Sequence, residues 1–304
     1  MSAGKTTLDS VEQARGRFHA VWRAGPEGMP PPTPLVLSSP HSGRLYPDDM
    51  VTCLSGLDIR RSEDAYVDKF LETAPNHGAA LITALAARAY MDVNRRPYEL
   101  DPEMFAEPLP AFARGHSPQV AAGLGSVARV IAEGLNIYAH KLTFTEAQTR
   151  IDRVHVPYHN ALKDLIDQAR AAHGFAILID WHSMPATAAR GAIASGPCDI
   201  ILGDRYGASC HPALIERVEV ALSAWGYRVA RNNPYAGGYT TELYGRPQAH
   251  VHALQIEINR GLYLDESCLK LTSGFHRLRA DIARLSQDLA TEVWDGLRPE
   301  GLNP

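Results

Sequence analysis

The sequence has few cysteines, little net charge and no long apolar run. Its 304 residues include four cysteines, which lie far apart without a Cys-x-x-Cys pair: Cys53, Cys198, Cys210 and Cys268. This spacing argues against a disulfide framework and a zinc knuckle, and favours free thiols. The formal net charge of -4 gives no indication of binding to nucleic acid or to an anionic membrane.

Membrane insertion and secretion are also disfavoured. No apolar stretch approaches the roughly 20 residues that a membrane-spanning helix requires, and residues 1–18 lack the apolar core of a signal peptide. We therefore expect a cytoplasmic protein. Hydrophobic residues make up 45% of the chain and charged residues 21%, which is typical of globular proteins.

Apolar runs alternate with amphipathic stretches along the chain. The runs predict strands at 35–37, 81–90, 175–182, 227–230 and 251–258. The amphipathic stretches predict helices over 10–22, from Ser62 onward, over 127–172 with a break near 143–145, over 211–226 and over 274–294. Residues 232–239 have the composition of a loop. This alternation predicts a single α/β domain over 1–304 with a mostly parallel sheet, in which 1–33 form a helix and a proline-rich connector and 97–126 an irregular covering segment.

Two of the predicted strands lead to a histidine, and a serine follows each histidine in the sequence. His41 follows the run at 35–37, and His182 ends the run at 175–182. Because buried strands of an α/β sheet present their carboxyl ends to a shared crevice, the two histidines predict a metal site. Zinc hydrolases commonly use three protein ligands, and Glu63 or Asp64 is the best-placed third ligand. The alternative is that His41 caps a turn, His182 lies in the core and Asp64 complements a helix dipole.

A group of polar residues follows the predicted strand at 81–90. Asp92 suits a hydrogen bond to the second ring nitrogen of His41. Asn94 and Arg95 are the amide and guanidinium donors expected for a substrate carboxylate. The alternative is a solvated turn in which Arg95 pairs with an acid such as Glu99.

Glu257 is a single acid in the otherwise apolar strand at 251–258. A carboxylate is costly to bury without a partner, which favours a catalytic role. The alternative is a structural ion pair with Arg260 or another basic group.

Other reactive side chains carry weaker signals. His155 and His159 have helical i, i+4 spacing but lack the acid of an HExxH motif, which favours packing and hydrogen bonding. No activating base is evident for Cys210. Ser39 and Ser183 do not stand in a Gly-x-Ser-x-Gly elbow.

Seven short motifs, in order, resemble the N-formylglutamate amidohydrolases, a family similar to zinc carboxypeptidases and aspartoacylases. The resemblance covers 35–263 and rests on PHSG, SEDAYVDKF, DVNRRP, DWHSMP, YGASC, GGYTTELYG and HVHALQIEINRGLY. It implies an α/β/α sandwich around a mixed sheet of about eight strands, with one catalytic zinc ion per chain. It also implies hydrolysis of N-formyl-L-glutamate to formate and L-glutamate, a reaction of histidine degradation.

The resemblance assigns roles to particular residues. It implies His41, Asp64 and His182 as the zinc ligands, with Asp64 preferred over Glu63. It further implies that Asp92 supports His41, that Asn94 and Arg95 hold the substrate's α-carboxylate, and that Glu257 is the general base. Arg95 is then expected to contribute to catalysis through positioning.

One loop departs from the family pattern. The most similar members read GGHITRHYG where this chain reads GGYTTELYG, so Tyr239 replaces a histidine and Glu242 an arginine. We expect Tyr239 to line the substrate site and Arg246 to take over the second carboxylate. The departure leaves two alternatives: a zinc amidohydrolase or carboxypeptidase for another N-acyl amino acid or short peptide, and a non-catalytic carboxylate-binding protein. The sequence leaves a homo-oligomer open.

Overall fold

The computed structural model describes residues 18–23, 31–113, 115–131, 134–190, 196–294 and 296–298. The first part of the predicted helix over 10–22 therefore lies outside the described residues, as does most of the proline-rich connector. Residues 19–22 form an edge strand rather than a helix. That part of the prediction was wrong because pairing with a neighbouring strand outweighs the local helical periodicity.

A mixed sheet forms the centre of the fold. Its strands are β1 (His19–Trp22), β2 (Leu35–Ser39), β3 (Ala80–Ala84), β4 (Ala176–Met184), β5 (Ile200–Gly203), β6 (Val229–Arg231) and β7 (Val251–Asn259). They are ordered β1-β3-β2-β4-β7-β5-β6. Strands β3, β2, β4 and β7 are mutually parallel. Strand β1 runs antiparallel to β3, and β5 runs antiparallel to β7. Strand β6 is parallel to β5.

This architecture confirms the predicted α/β fold with a mixed sheet. Within the described residues the main sheet has seven strands rather than about eight, and β8 (Leu264–Asp265) and β9 (Lys270–Leu271) form a separate hairpin. The predicted strand over 81–90 ends at Ala84. Beyond it the chain turns, and Ala86 pairs with Leu45 through an isolated bridge.

The helices pack on both faces of the sheet. They are α1 (Gly56–Arg60), α2 (Val67–Leu71), α3 (Pro118–Ala121), α4 (Phe144–Arg150), α5 (Val156–His173), α6 (Pro212–Ala224), α7 (Tyr239–Tyr244) and α8 (Gly274–Thr291). Ile177, Ile179 and Trp181 of β4 pack with α2, α6 and α8. Ala176 and Leu178 pack with α5 on the other face. Because both faces are covered, β4 is apolar along most of its length.

Two predicted helices begin later than expected. The described residues of 127–143 contain no α-helix, and helix α4 begins after the capping box of Thr143 and Glu146. A π-helical turn, Ile151–His155, joins α4 to α5, whose last residue, His173, lies one residue beyond the predicted end at 172. The helix predicted from Ser62 begins only at Val67. The capping box sets the start of α4, whereas α2 begins after Tyr66, whose backbone is left-handed.

Residues 97–126 have little regular secondary structure. The described residues of this range contain only the 3-10 turn Pro102–Met104 and the single turn of α3. The predicted loop at 232–239 leads into α7, which begins at Tyr239. No helix among the residues described combines the length and apolarity that crossing a bilayer would require.

The parallel strands direct polar residues toward one edge of the sheet. His41 follows the carboxyl end of β2, and His182 lies near the carboxyl end of β4. Glu257 of β7 is the register partner of His182. Since carboxyl ends of parallel strands share an edge, the fold brings these three residues together.

The turn after His41 depends on a glycine. A Cβ at Gly43 would lie 2.1 Å from the carbonyl oxygen of Ala86. We expect Gly43→Ala to lower the free energy of unfolding by about 1–3 kcal/mol, because the backbone must shift to relieve the clash. Urea unfolding measures the change. Gly56→Ala is the matched control, since a Cβ there meets nothing within 4 Å, and an unchanged stability of Gly43→Ala would contradict the prediction.

Candidate metal centre

Three buried side chains converge at the carboxyl edge of the sheet. The Nδ1 atoms of His41 and His182 lie 3.1 Å apart. The Oδ2 atom of Asp64 lies 3.3 Å from the first and 3.1 Å from the second. Ligands of a tetrahedral zinc ion, at about 2.0–2.1 Å from the metal, are about 3.3 Å from one another. The three atoms therefore have the separations of a metal-binding triad, and together they could hold an ion.

Local structure selects Asp64 rather than Glu63. The backbone N–H of Asp64 donates to the carbonyl of His41 over 2.9 Å, which ties the two turns together. Glu63 instead accepts hydrogen bonds from Tyr46 and Arg60. Its carboxylate is thus engaged away from the two histidines.

Each imidazole has a carboxylate on its other nitrogen. Nε2 of His41 lies 2.8 Å from Asp92 Oδ1, and Nε2 of His182 lies 2.9 Å from Asp180 Oδ2. Donation from Nε2–H to a carboxylate leaves the Nδ1 lone pair for a metal, which is the arrangement of metal-bound histidines. Sequence reasoning assigned this role to Asp92 and missed Asp180. The signal was the Asp-x-His spacing, since residues i and i+2 of a strand share one face.

Two arginines contact the acids of the site. Arg88 donates from Nε to Asp92 Oδ2 over 2.9 Å, and Arg260 donates from Nη2 to Asp64 Oδ1 over 2.9 Å. Although burial opposes ionisation, His41 and Arg88 hold the pKa of Asp92 well below its usual value. Hydrogen bonds with His182 and His41 do the same for the pKa of Asp64.

The charges of the cluster suit a divalent cation. Four buried carboxylates, those of Asp64, Asp92, Asp180 and Glu257, face two contacting guanidinium groups. With neutral histidines and an ionised Glu257 the cluster carries two negative charges. Nitrogen and carboxylate ligands in a set of three match catalytic zinc sites, so the residues present fit such an ion.

Glu257 lies beside the triad on the same face of the sheet. Burial raises the pKa of Glu257 to about 7; the charge of Asp64 adds to this rise, and His182 opposes it. Gln255 donates to Glu257 Oε1 over 2.9 Å and accepts from the Gly238 N–H over 2.7 Å. The alternative ion pair between Glu257 and Arg260 is not formed, because the guanidinium of Arg260 hydrogen-bonds to Asp64 and Ser183.

The triad opens onto a cavity of about 420 Å³ that Glu257 also lines. The covering segment contributes Gln119 and Leu124 to its wall. The guanidinium groups that line it are those of Arg61, Arg88, Arg95 and Arg260. This concentration of positive charge around a small cavity is suited to an anionic ligand.

Asn94 and Arg95 both reach this cavity. Asn94 Oδ1 accepts the N–H of Thr240 over 2.8 Å, and its Nδ2 lies 3.1 Å from His182 Nε2. Arg95 donates to the carbonyls of Leu124 and Asn94. The alternative pair of Arg95 with Glu99 is not formed, since the Glu99 carboxylate accepts a hydrogen bond from Ser117.

Two predicted substrate residues lie elsewhere. Arg246 donates to the carbonyls of Glu242 and Gly245, and it lines a separate surface cavity beside α5. It is therefore not placed to replace the missing loop arginine.

Tyr239 lies outside the cavity wall and packs against the rings of His155 and His159. Glu242 is paired with Arg96.

The weaker candidates show no catalytic arrangement. Burial raises the pKa of the Cys210 thiol to about 12, so it is a poor nucleophile. Ser39 shares a hydrogen bond with Ser42, and Ser183 accepts one from Arg260. His155 and His159 direct their Nε2 atoms to backbone carbonyls rather than toward a common ligand.

Comparison with known proteins confirms the resemblance. A sequence model of the family described as N-formylglutamate amidohydrolase matches residues 33–264. A Pseudomonas aeruginosa protein named N-formylglutamate deformylase is 28% identical over 268 residues, 87% of this chain and 92% of that protein. A Pseudomonas putida protein of the same name is 29% identical over 238 residues, 77% and 83% of the two chains.

Solved structures extend the comparison to the fold. A crystal structure of N-formylglutamate amidohydrolase from Ralstonia eutropha JMP134 has a TM-score of 0.84 and 35% identity, and the match covers 91% of this chain and 99% of that one. The structure of a gene product from Agrobacterium tumefaciens has a TM-score of 0.62 at 18% identity, with 91% and 95% covered. The second likeness shows the fold alone.

The carboxylate behind His182 gives a direct test of the metal centre. We expect Asp180→Ala to weaken zinc affinity by about 10–100-fold, because the imidazole loses the partner that fixes its orientation and basicity. Competition with a chromophoric chelator measures the affinity. His140→Ala, at an exposed position, should bind zinc as the unmodified protein does, and equal affinity in Asp180→Ala would rule out the supporting role.

Proposed function

The chain belongs to the N-formylglutamate amidohydrolase family, and on that basis we propose that it is a zinc-dependent hydrolase that cleaves N-formyl-L-glutamate to formate and L-glutamate. The observation that carries the proposal is the convergence of His41, Asp64 and His182 beside Glu257. The names of the relatives support the choice of substrate. We extend the proposal to one zinc ion per chain and to a single-domain, cytoplasmic enzyme that acts on a free small molecule.

His41, Asp64 and His182 would hold the ion, with Asp92 and Asp180 orienting the two imidazoles. When bound, zinc would supply Lewis acidity and lower the pKa of a water molecule toward about 7. The excess of carboxylates over guanidinium groups in the cluster is the electrostatic reason that a dication suits this position.

Glu257 is the group placed to move protons. Its carboxylate lines the cavity next to His182 and accepts a proton from the attacking water. The new C–O bond forms at the formyl carbon, and the C–N bond breaks. Glu257 then passes the proton to the departing nitrogen, so that the amine of glutamate and formate leave as separate products.

The arginines of the cavity wall bind and orient the substrate. Arg95, with Asn94, holds the α-carboxylate, which places the formyl group over the triad. Arg88 lies against Asp92 and lines the same cavity, where it would stabilise negative charge that develops on the carbonyl oxygen. Arg61 adds a further positive charge to this wall, which suits a substrate with two carboxylates.

The substrate assignment is tested by formate release. We expect N-formyl-L-glutamate to be hydrolysed faster than N-acetyl-L-glutamate or N-formyl amino acids with neutral side chains, because only the first combines a small acyl group with two anions. Chelation should abolish the reaction and added zinc restore it. An assay of formate over this substrate panel distinguishes the reaction from hydrolysis of other N-acyl amino acids and from simple binding.

The base is tested by Glu257→Gln. Removing the proton acceptor should lower kcat by about 10²–10⁴-fold while zinc content stays at one ion per chain. Glu242→Gln is the matched control, since Glu242 pairs with Arg96 outside the cavity. A Glu257→Gln enzyme with near-normal turnover would remove Glu257 from this role.

A further inference from the structure

We propose that His155 and His159 position the substrate-binding residues by donating hydrogen bonds to the backbone carbonyls of Val93 and Arg95, which flank the Asn94–Arg95 pair. This inference rests on the proposed function, in which Asn94 and Arg95 hold the substrate's α-carboxylate. It concerns two side chains that neither line the catalytic cavity nor contact the metal triad.

The geometry of the two bonds is specific. His155 Nε2 lies 2.9 Å from the carbonyl oxygen of Arg95. His159 Nε2 lies 2.7 Å from the carbonyl oxygen of Val93. Both rings are buried, and their centroids lie 4.4 Å apart. The carbonyls accept, so each Nε2 must carry the proton.

The helix is built to present both rings to this segment. His155 is the last residue of the π-helical turn, and His159 lies in the first turns of α5. Such turns are rare and are often found at functional sites, since the extra residue redirects the side chains that follow. Here the redirected face meets the backbone at 93–95.

Both histidines act as neutral donors. Burial, with the neighbouring His155, lowers the pKa of His159 to about 3, and burial also lowers the pKa of His155. His159 Nδ1 lies 3.0 Å from the Tyr244 hydroxyl, which completes its hydrogen bonding. The ring of Tyr239, the first residue of α7, packs against both histidines and so helps to hold their rings in place.

The bonds act on the peptide planes that define the segment. The carbonyl of Val93 belongs to the peptide plane before Asn94, and that of Arg95 to the plane after Arg95. Fixing both planes restricts the backbone dihedrals of the two residues between them, and hence the directions of their side chains. At its start the segment is held by Asp92 Oδ1, which accepts the N–H of Asn94 over 2.8 Å.

Replacement of His155 tests the proposal. His155→Leu removes the donor, whereas His155→Gln keeps an amide N–H near the position of Nε2. We expect the leucine variant to raise KM for N-formyl-L-glutamate by about tenfold, with kcat within about twofold and zinc content unchanged. The glutamine variant should recover most of the loss. His155→Asn, whose shorter side chain cannot reach the carbonyl, replaces the leucine variant if the latter does not fold.

A control on the same helix separates positioning from general packing. His173 of α5 also directs Nε2 to a backbone carbonyl, that of Pro31, over 2.9 Å. His173→Leu should leave KM unchanged. A fall in kcat as large as the rise in KM in His155→Leu would assign His155 a packing role and overturn the proposal. The absence of recovery in His155→Gln would do the same.

A double-mutant cycle distinguishes this proposal from the function on which it rests. Arg95→Ala should itself raise KM, and His155→Leu should add little in that background because both changes affect one interaction. Additive effects would overturn the positioning role of His155. An unchanged KM in Arg95→Ala would instead overturn the assignment of the carboxylate site. The substrate analogue with an α-carboxamide should show no KM penalty in His155→Leu.

Discussion

The structure depends on the burial of more negative than positive charge at one edge of the sheet. Asp64, Asp92, Asp180 and Glu257 are all removed from water, and Arg88 and Arg260 neutralise only part of their charge. An uncompensated buried charge is expensive, by several kcal/mol for each ion. The Nδ1 atoms of the two imidazoles converge with Asp64 beside these acids, where a cation could balance the charge.

The sheet positions this cluster through strand order and register. Strands β2, β4 and β7 are adjacent and parallel, so His41, His182 and Glu257 come from neighbouring strand ends. A slip of one residue in β4 would turn His182 and Asp180 to the opposite face. Apolar residues that alternate with them, such as Trp181, are buried against the other layer of helices, and they fix the register that the site needs.

Much of this arrangement could be predicted from the sequence. The histidines at 41 and 182 end apolar runs, and this local pattern depends on strand geometry. Asp92 also follows an apolar run, but it lies beyond the turn that comes after the end of β3 at Ala84. Asp180 could have been found in the same way from its spacing to His182. The choice of Asp64 over Glu63 required the family resemblance, because both acids stand in the same turn and only tertiary contacts separate them.

The wrong predictions came from local sequence patterns that do not register tertiary contacts. The helical expectation for 19–22 and 127–143 came from apolar spacing, which does not register the pairing of β1 with β3 or the capping box at Thr143. The expectation that Arg246 would replace a missing arginine assumed that nearness in sequence means nearness in space. Arg246 follows helix α7 and lies instead at the surface cavity beside α5.

The stretch from Asp92 to Arg96 joins three parts of the protein in five residues. Asp92 supports His41, Asn94 and Arg95 reach the cavity, and Arg96 pairs with Glu242 of α7. In the proposed enzyme, the ion and the substrate would both be held through this one short stretch. Any coupling between them would be reciprocal. The factor by which the bound ion changes the affinity for the substrate would equal the factor by which the bound substrate changes the affinity for the ion.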